Sequence, residues 1–327
     1  MGTGNERRKK VPPQEMQALR HWKAWLRAST QRHLPVRRAF NRALACLRGG
    51  GQVNRTLLPE EHALLTRRNR VTLFHIDLEP SDLDRVRATT GPETARYLND
   101  NTMDVWMKLL MRRSYRHGES DYFFNTQLYR KLLDGDSVRS WTVPTVVSGM
   151  LRPARPFRVP MNCSGLTSLW QARRLFIPAN LGNNHWVLVV ATLSGARQGL
   201  ECYDSGRRYG YDVQATLERI RTWLQAEFIQ TSAVLALDDP GLASWPTSLP
   251  VTPQQPNDYD CGVLVCMLAD LLSNNESLPA QVQGPWLQAM RRRMTVRLQQ
   301  GEDSLQQEAE RKPDLVDLTA PDLVDLT

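Results

Sequence analysis

A domain of mixed helices and strands over residues 71–300 is what the sequence predicts, and three observations predict it. "LFIPANL" (175–181) and "HWVLVVATL" (185–193) are apolar runs of strand length, and "GLECYDS" (199–205) follows the turn-forming "SGARQ". Apolar stripes at helical spacing stand before and after these strands. The charge also changes sign near residue 70. Residues 1–70 carry 16 Lys+Arg and 4 Asp+Glu, a net of +12, while the rest carry 26 and 30, a net of −4.

Taken in order, residues 1–13 are polar and predict disorder. Residues 14–30 predict a helix with Met16, Leu19, Trp22 and Leu26 on one stripe, and residues 36–48 a second with Phe40, Leu44 and Leu47. Gly49, Gly50 and Gly51 end it, and Pro59 with "TRRNR" (66–70) continues a linker. The basic helices have two readings, contact with nucleic acid or an acidic partner, or a solvated basic face; the second is the simpler.

"VTLFHIDLEPSDLDRV" (71–86) reads as a strand and then a helix opened by Ser81, with Asp84 three residues on in capping-box spacing. In "YLNDNTMDVWMKLLMRR" (97–113), Met103, Trp106, Met107 and Leu110 form a core-facing stripe behind polar N-cap candidates. Residues 133–170 are loop-rich, with Pro144, Pro153, Pro156 and Pro160. The three strands follow, the last two as a hairpin. Val213, Leu217, Ile220, Leu224 and Phe228 mark an amphipathic helix, "CGVLVCMLADLL" (261–272) a buried one, and residues 285–299 a last one. The tail, 301–327, is polar and repeats "PDLVDLT" at 313–319 and 321–327.

Composition narrows the classes. Hydrophobic content of 41% with nine Trp supports a core, and no run of about 18 apolar residues predicts a membrane span. "MGTGNERRKKVPP" lacks an apolar h-region, so no standard signal peptide is expected. Five unpatterned cysteines make no disulfide framework, and no CxxC or His cluster points to metal; a reducing compartment and no cofactor are expected.

Candidate chemistry centres on "QQPNDYDCGVLVCMLADLL" (254–272), where Cys261 sits at the seam between a polar loop and an apolar helix, six residues after Gln255. A nucleophilic thiol needs a base. His185 opens one strand and Asp204 closes the next. With a tight turn at Ser194-Gly195, paired positions sum to 389 and set His185 beside Asp204. Singly, each residue has an ordinary reading: a capping His, a turn Asp, a small apolar filler Cys. Together they are a nucleophile, base and orienting acid. A thiol of pKa about 8.5 is activated by a helix N-terminus and an imidazolium. His185 would take its proton and pass it to the leaving amine, and Asp204 would hold the imidazole tautomer. Gln255 and the Cys261 backbone N–H would face the oxyanion. Gly262 would leave the thiolate uncrowded.

These residues resemble the SUMO-specific (sentrin-specific) cysteine proteases, a family acting on ubiquitin-like proteins. The resemblance rests on "HW" (185–186), "YDS" (203–205) and "PQQPNDYDCG" (253–262), with "YLND", "FFNTQLYRKLL", "RSW" and "FIPANLGNNHW" around them, and it covers residues 71–300. It implies a papain-like α+β fold, with a central mixed sheet flanked by helices, and an isopeptidase that cuts after a C-terminal Gly-Gly. By position, His185, Asp204 and Cys261 match the triad and Gln255 the oxyanion donor. Trp186 matches the aromatic lid over the diglycine, where only residues without a Cβ pass. Tyr97 stands where members usually carry a second Trp, and Asp100 matches an acid that contacts an Arg of SUMO. The Pro-rich 142–170 stretch is longer than in typical members; it either reshapes the substrate face or is a neutral insertion.

The tail resembles SUMO-interacting motifs twice over, with Leu315, Val316 and Leu318, then Leu323, Val324 and Leu326, flanked by Asp residues. Strand addition to a sheet edge is the mechanism this implies, and two copies suit a chain of several SUMO units. A plain solvated tail is the alternative. The expected partners are SUMO and SUMO-conjugated proteins, with no membrane and nothing that demands more than a monomer. An intracellular, nuclear location is expected from "RRKK" (7–10). The owner is a eukaryote, or a bacterium delivering an effector to a host nucleus, which the Arg-heavy composition fits. The alternatives are a deubiquitinase, a protease for another ubiquitin-like protein, an acyltransferase with a similar triad, and a SUMO-binding module without activity.

Overall fold

The structure, a computed structural model, describes residues 57–87, 92–135, 145–147, 150–152, 166, 168–195, 197–235, 237–305 and 307. The expected helices at 14–30 and 36–48, the glycine break, the basic 7–10 stretch, most of the Pro-rich segment and both tail repeats lie outside the described residues.

The chain forms α1 (Pro59–His62), the hairpin β1 (Val71–Leu73) and β2 (Ile76–Leu78), α2 (Pro80–Arg87) and α3 (Asp100–Arg116). Then come β3 (Tyr122–Phe123), α4 (Gln127–Leu133), the hairpin β4 (Thr145–Val147) and β5 (Met150–Arg152), β6 (Arg174–Leu181), β7 (His185–Thr192) and β8 (Gly199–Tyr203). The last elements are α5 (Val213–Leu235), β9 (Thr247–Ser248), α6 (Cys261–Ser273) and α7 (Gly284–Gln300). The main sheet has the order β3-β6-β7-β8-β9. It is antiparallel at β6–β7 and β7–β8, and parallel at both edges. The expected α+β architecture with a central mixed sheet is the one found.

The central strand explains the layering. Every residue from His185 to Ala191 is buried, so β7 must be covered on both faces. Helix α6 packs against one face of β7 and against α3. Met103, Trp106, Met107 and Leu110, the stripe read from the sequence, all lie within the core of α3. Trp106 donates its indole N–H to the Cys266 carbonyl at 3.3 Å, which ties α3 to α6 within that core.

Four local expectations are corrected. The run 71–86 holds two strands, because Phe74 and His75 turn the chain with positive φ. Helix α2 begins at Pro80, and its cap is Asp82, which accepts from the Glu79 N–H at 3.0 Å; Ser81 and Asp84 do not form the box. Pro suits the first helical turn, where its missing N–H costs nothing. The loop-rich stretch at 133–170 holds the β4–β5 hairpin. Residues 59–65, read as linker, pack on α7, where buried Glu61 accepts from Arg297 at 2.6 Å.

Helix α7 owes its place to charge as much as to apolar area. Asp270 of α6 is fully buried between Arg113 of α3 and Arg293 of α7, with Ser273 accepting from Arg113 at 2.8 Å. Burial works against this carboxylate, but Arg293 and Arg113 outweigh it and hold its pKa below the usual range. A depressed carboxylate stabilises the fold above its unfolded pKa and loses that contribution as pH falls through the folded value. Asp270→Asn leaves two guanidiniums without their counter-ion and should cost about 3–5 kcal/mol in urea unfolding at neutral pH. A cost below about 1 kcal/mol would show that the cluster does not hold these three helices together.

Candidate active site

Three elements converge at one end of the main sheet. His185 is the first residue of β7, Asp204 the first residue beyond β8, and Cys261 the first residue of α6. The turn into β7 is built by its sequence: Gly182 and Asn183 both take positive φ, the backbone of a type I′ turn. Asn184 then hands the chain to His185, which pairs with Leu181.

The expected hairpin register is off by two. Leu188 pairs with Tyr203 and Val189 with Cys202, so paired positions sum to 391 and not 389. The connection runs from Leu193 through Gln198, longer than a two-residue turn. A slip of two preserves which face each side chain points to, whereas a slip of one would have reversed it. His185 and Asp204 are therefore diagonal neighbours, and the chain past Tyr203 turns Asp204 back onto the imidazole. His185 Nε2 lies 2.8 Å from Asp204 Oδ1, with both side chains buried. The same carboxylate oxygen accepts from the Gly206 N–H at 2.7 Å.

The Cys261 thiol faces the same imidazole closely enough to favour its charged form. With Nε2 committed to Asp204, Nδ1 is the nitrogen left to face it. Burial disfavours a charged His185, yet the hydrogen bond to Asp204 and the nearby Cys261 overcome it and push its pKa up from 6.5 to about 9. Asp204 is held low: burial opposes its charge, and the bonds from His185 and the Gly206 N–H outweigh that. The imidazole is also fixed on its faces. Tyr211 stacks on it at 5.3 Å and 8° between planes, and Tyr209 meets it at 59°. Gly206 closes from another side, where a Cβ would stand 2.5 Å from His185 Cε1.

Gln255 is buried beside Ser205. Its side-chain Nε2 donates to the Asn257 carbonyl at 2.7 Å, and its backbone N–H donates to the Ser205 carbonyl at 2.9 Å. Asn257 shapes the loop into α6 as an Asx turn, its Oδ1 accepting from the N–H groups of Tyr259 at 3.1 Å and Asp260 at 3.0 Å. Asp260 stands at the N-cap of α6 but makes no side-chain cap there. Its carboxylate accepts from Arg291 Nε at 2.7 Å. The first-turn N–H groups of α6 thus have no side-chain cap and stay available to a developing anion.

Trp186, on the face of β7 opposite His185, lines a cleft of about 650 Å³ with Tyr97, Leu98, Asp100, Asn180 and Asn184. The Tyr97 hydroxyl has a raised pKa, from burial first and then from the charge of Cys261. Asp100 opens α3 and accepts from Gln127 at 3.2 Å. The structure thus brings His185 and Asp204 together with Cys261 facing them, sets Gln255 beside Ser205, and gathers Trp186, Tyr97 and Asp100 in one cleft. A Cβ at Gly262 would meet Leu98 at 3.0 Å and Met103 at 3.4 Å, so this glycine also lets α6 pack closely on Leu98 and α3. Ser205, Gly206, Tyr209, Tyr211 and Asn257 are contributors that pattern reading missed. Only Asn257, a turn-forming residue just before a helix, had a local signal.

The imidazolium contributes to folding below 6.5, and that contribution is lost as pH rises through about 9. An NMR titration of His185 should accordingly find it protonated at pH 8, and Asp204→Asn should move its midpoint down. A wild-type midpoint near 6.5 would contradict the geometry.

Comparison with known proteins places these observations. Residues 96–302 match the model of the Ulp1 protease family, C-terminal catalytic domain. Ubiquitin-like-specific protease 1 of Saccharomyces cerevisiae is 26% identical over 216 residues, which cover 66% of this chain and 28% of the yeast protein's length. The C-terminal Ulp1 protease domain solved in complex with Smt3, the yeast ortholog of SUMO, superposes with a TM-score of 0.53 at 20% identity. That match covers 76% of this chain and 97% of the other. The Chaetomium thermophilum Ulp1-like SUMO protease catalytic domain gives 0.52 at 18% identity, covering 76% and 93%. The chain belongs to the Ulp1 protease family, whose C-terminal catalytic domain it carries over residues 96–302.

Proposed function

We propose that the protein is a SUMO isopeptidase, cutting between the C-terminal Gly-Gly of SUMO and a target lysine, with Cys261, His185 and Asp204 as its triad. The observation that carries this reading is the buried Cys261 thiol at an uncapped helix N-terminus, facing an imidazole that Asp204 holds at 2.8 Å. The family membership and the Smt3 complex of the related yeast domain support the substrate class.

With the proton already held by the His185 imidazolium, Cys261 Sγ attacks the carbonyl carbon of the terminal glycine. The oxyanion so formed would accept from the Cys261 backbone N–H and from Gln255 Nε2. His185 then gives its proton to the departing lysine nitrogen, the C–N bond breaks and a thioester remains. Water, deprotonated by the now neutral His185, attacks that thioester and releases SUMO with a free carboxylate. Precursor SUMO would be matured by the same steps.

Trp186 and Tyr97 line one cleft, and as aromatic walls of the path to the thiol they would favour an approaching chain without side chains. Asp100 at the cleft would meet a cation on the body of the substrate. The tail motifs, Leu315-Val316-Leu318 and Leu323-Val324-Leu326, would add strands to further SUMO units. Action in a nucleus, or in a host nucleus by a delivered effector, belongs to the same proposal.

The test is covalent capture by SUMO and by ubiquitin, each carrying a C-terminal electrophile. Wild type should be labelled by the SUMO probe and Cys261→Ala should not. Labelling by the ubiquitin probe alone would make the protein a deubiquitinase. Labelling by neither would overturn the isopeptidase reading. Trp186→Ala should lower kcat/KM on a SUMO amide by about tenfold or more, the loss of one buried aromatic anchor. Unchanged kinetics would remove Trp186 from the substrate path.

A further inference from the structure

Asp204 and Ser205 are neighbours in the chain, and their side chains serve opposite sides of the candidate site. Asp204 reaches His185. Ser205, only 2% exposed, donates its hydroxyl to Gln255 Oε1 at 3.0 Å, and Gln255 is itself 2% exposed. The orientation of this amide has a chemical logic. Asn257 offers a carbonyl, which only accepts, so Nε2 must face it. That leaves Oε1 buried and in need of a donor, which Ser205 supplies. An amide turned by 180° would set oxygen against oxygen at Asn257. The second N–H of Gln255 has a long contact, 3.4 Å to the Tyr209 hydroxyl. It is the weakly held bond, and so the N–H left available to an anion forming at the thiol.

We infer that Ser205 is a positioning residue for the oxyanion-stabilising amide of Gln255, an inference that rests on the role proposed above for Gln255. One dipeptide then aims both halves of the chemistry, Asp204 the base and Ser205 the oxyanion donor. The backbone reinforces the link. The Ser205 carbonyl accepts from the Gln255 N–H, and the Asp204 carbonyl accepts from Gln254 Nε2 at 2.9 Å. Ser205 acts on the transition state through Gln255, so its loss should reach the step that makes the oxyanion and leave substrate docking alone.

Steady-state cleavage of a SUMO C-terminal fluorogenic amide tests this, alongside the rate at which iodoacetamide alkylates Cys261, followed by site-resolved mass spectrometry. Gln255→Ala should lower kcat by about 10²–10³-fold. Ser205→Ala should lower kcat by about tenfold or more with KM within about twofold, and should leave the alkylation rate at wild type, because the thiol and its base are untouched. The double variant should be no slower than Gln255→Ala alone. Ser205→Thr and Ser205→Val form a near-isosteric pair that differs in the hydroxyl, and the threonine should be the faster; this pair carries the test if the alanine variant does not fold. Wild-type kcat in Ser205→Ala beside a slow Gln255→Ala would overturn this inference alone. So would losses that multiply in the double variant, or alkylation that slows in step with kcat. Full activity in Gln255→Ala would overturn the oxyanion role and this inference together.

Discussion

The site depends on one docking of backbone. The segment that leaves β8 at Asp204 is hydrogen-bonded, main chain to main chain, to the segment that enters α6, through the Gln255 N–H and the Ser205 carbonyl. Helix α6 is apolar nearly all round and packs on β7 and α3. Apolar packing is non-directional, and alone it would allow α6 to rotate or slide against β7. The hydrogen bonds of residues 204–208 with 254–258 remove that freedom. They include the Arg207 N–H to Gln254 Oε1 at 3.1 Å and Arg208 to the Gln255 carbonyl at 3.3 Å. A thiol on a helix and an imidazole on a strand thus meet at a fixed distance.

A second layer of constraint lies behind the helix. Helix α7 carries three buried arginines, and each is matched. Arg291 pairs with Asp260, just ahead of Cys261; Arg293 with Asp270 on α6; and Arg297 with Glu61 of α1. Arg291 also donates to the carbonyls of Arg85, Val86 and Arg96, so α2 and the approach to Tyr97 are tied to the same guanidinium. Buried pairs of this kind add little net stability over an apolar core, because desolvation offsets their attraction. They do have direction. Here their direction sets the N-terminus of α6 against the segment that carries Tyr97.

Much of this was legible in residue order. The strands over 175–193 and 199–205 and the stripe on α3 follow from apolar period alone. The candidate triad could be named because strand ends and a helix start are the places where polar side chains converge. Register was the part that length could not supply, since the loop from Leu193 to Gln198 was longer than the turn signal within it. Parity rescued the conclusion, as a two-residue slip keeps His185 and Asp204 on one face. The close approach of Leu98 to Gly262 gave no sign in the sequence, because Leu98 is far away along the chain. The ring pair Tyr209 and Tyr211 and the hydroxyl of Ser205 gave no local sign. Their roles arise only when the 204–211 segment folds over His185. The buried arginines of α7 were hidden for the same reason, as their partners lie on three other helices or their caps.

Native-state hydrogen exchange on the free protein tests the central claim most directly. If the 204–208 and 254–258 segments are one cooperative unit, the amides of Gln255 and Gly206, which donate to Ser205 and Asp204, must open together. Their exchange free energies and denaturant dependence should coincide, near those of the β7 amides. A Gln255 amide that exchanges through a small local fluctuation, while Gly206 stays protected, would show that the base and the oxyanion loop move independently and would contradict the account.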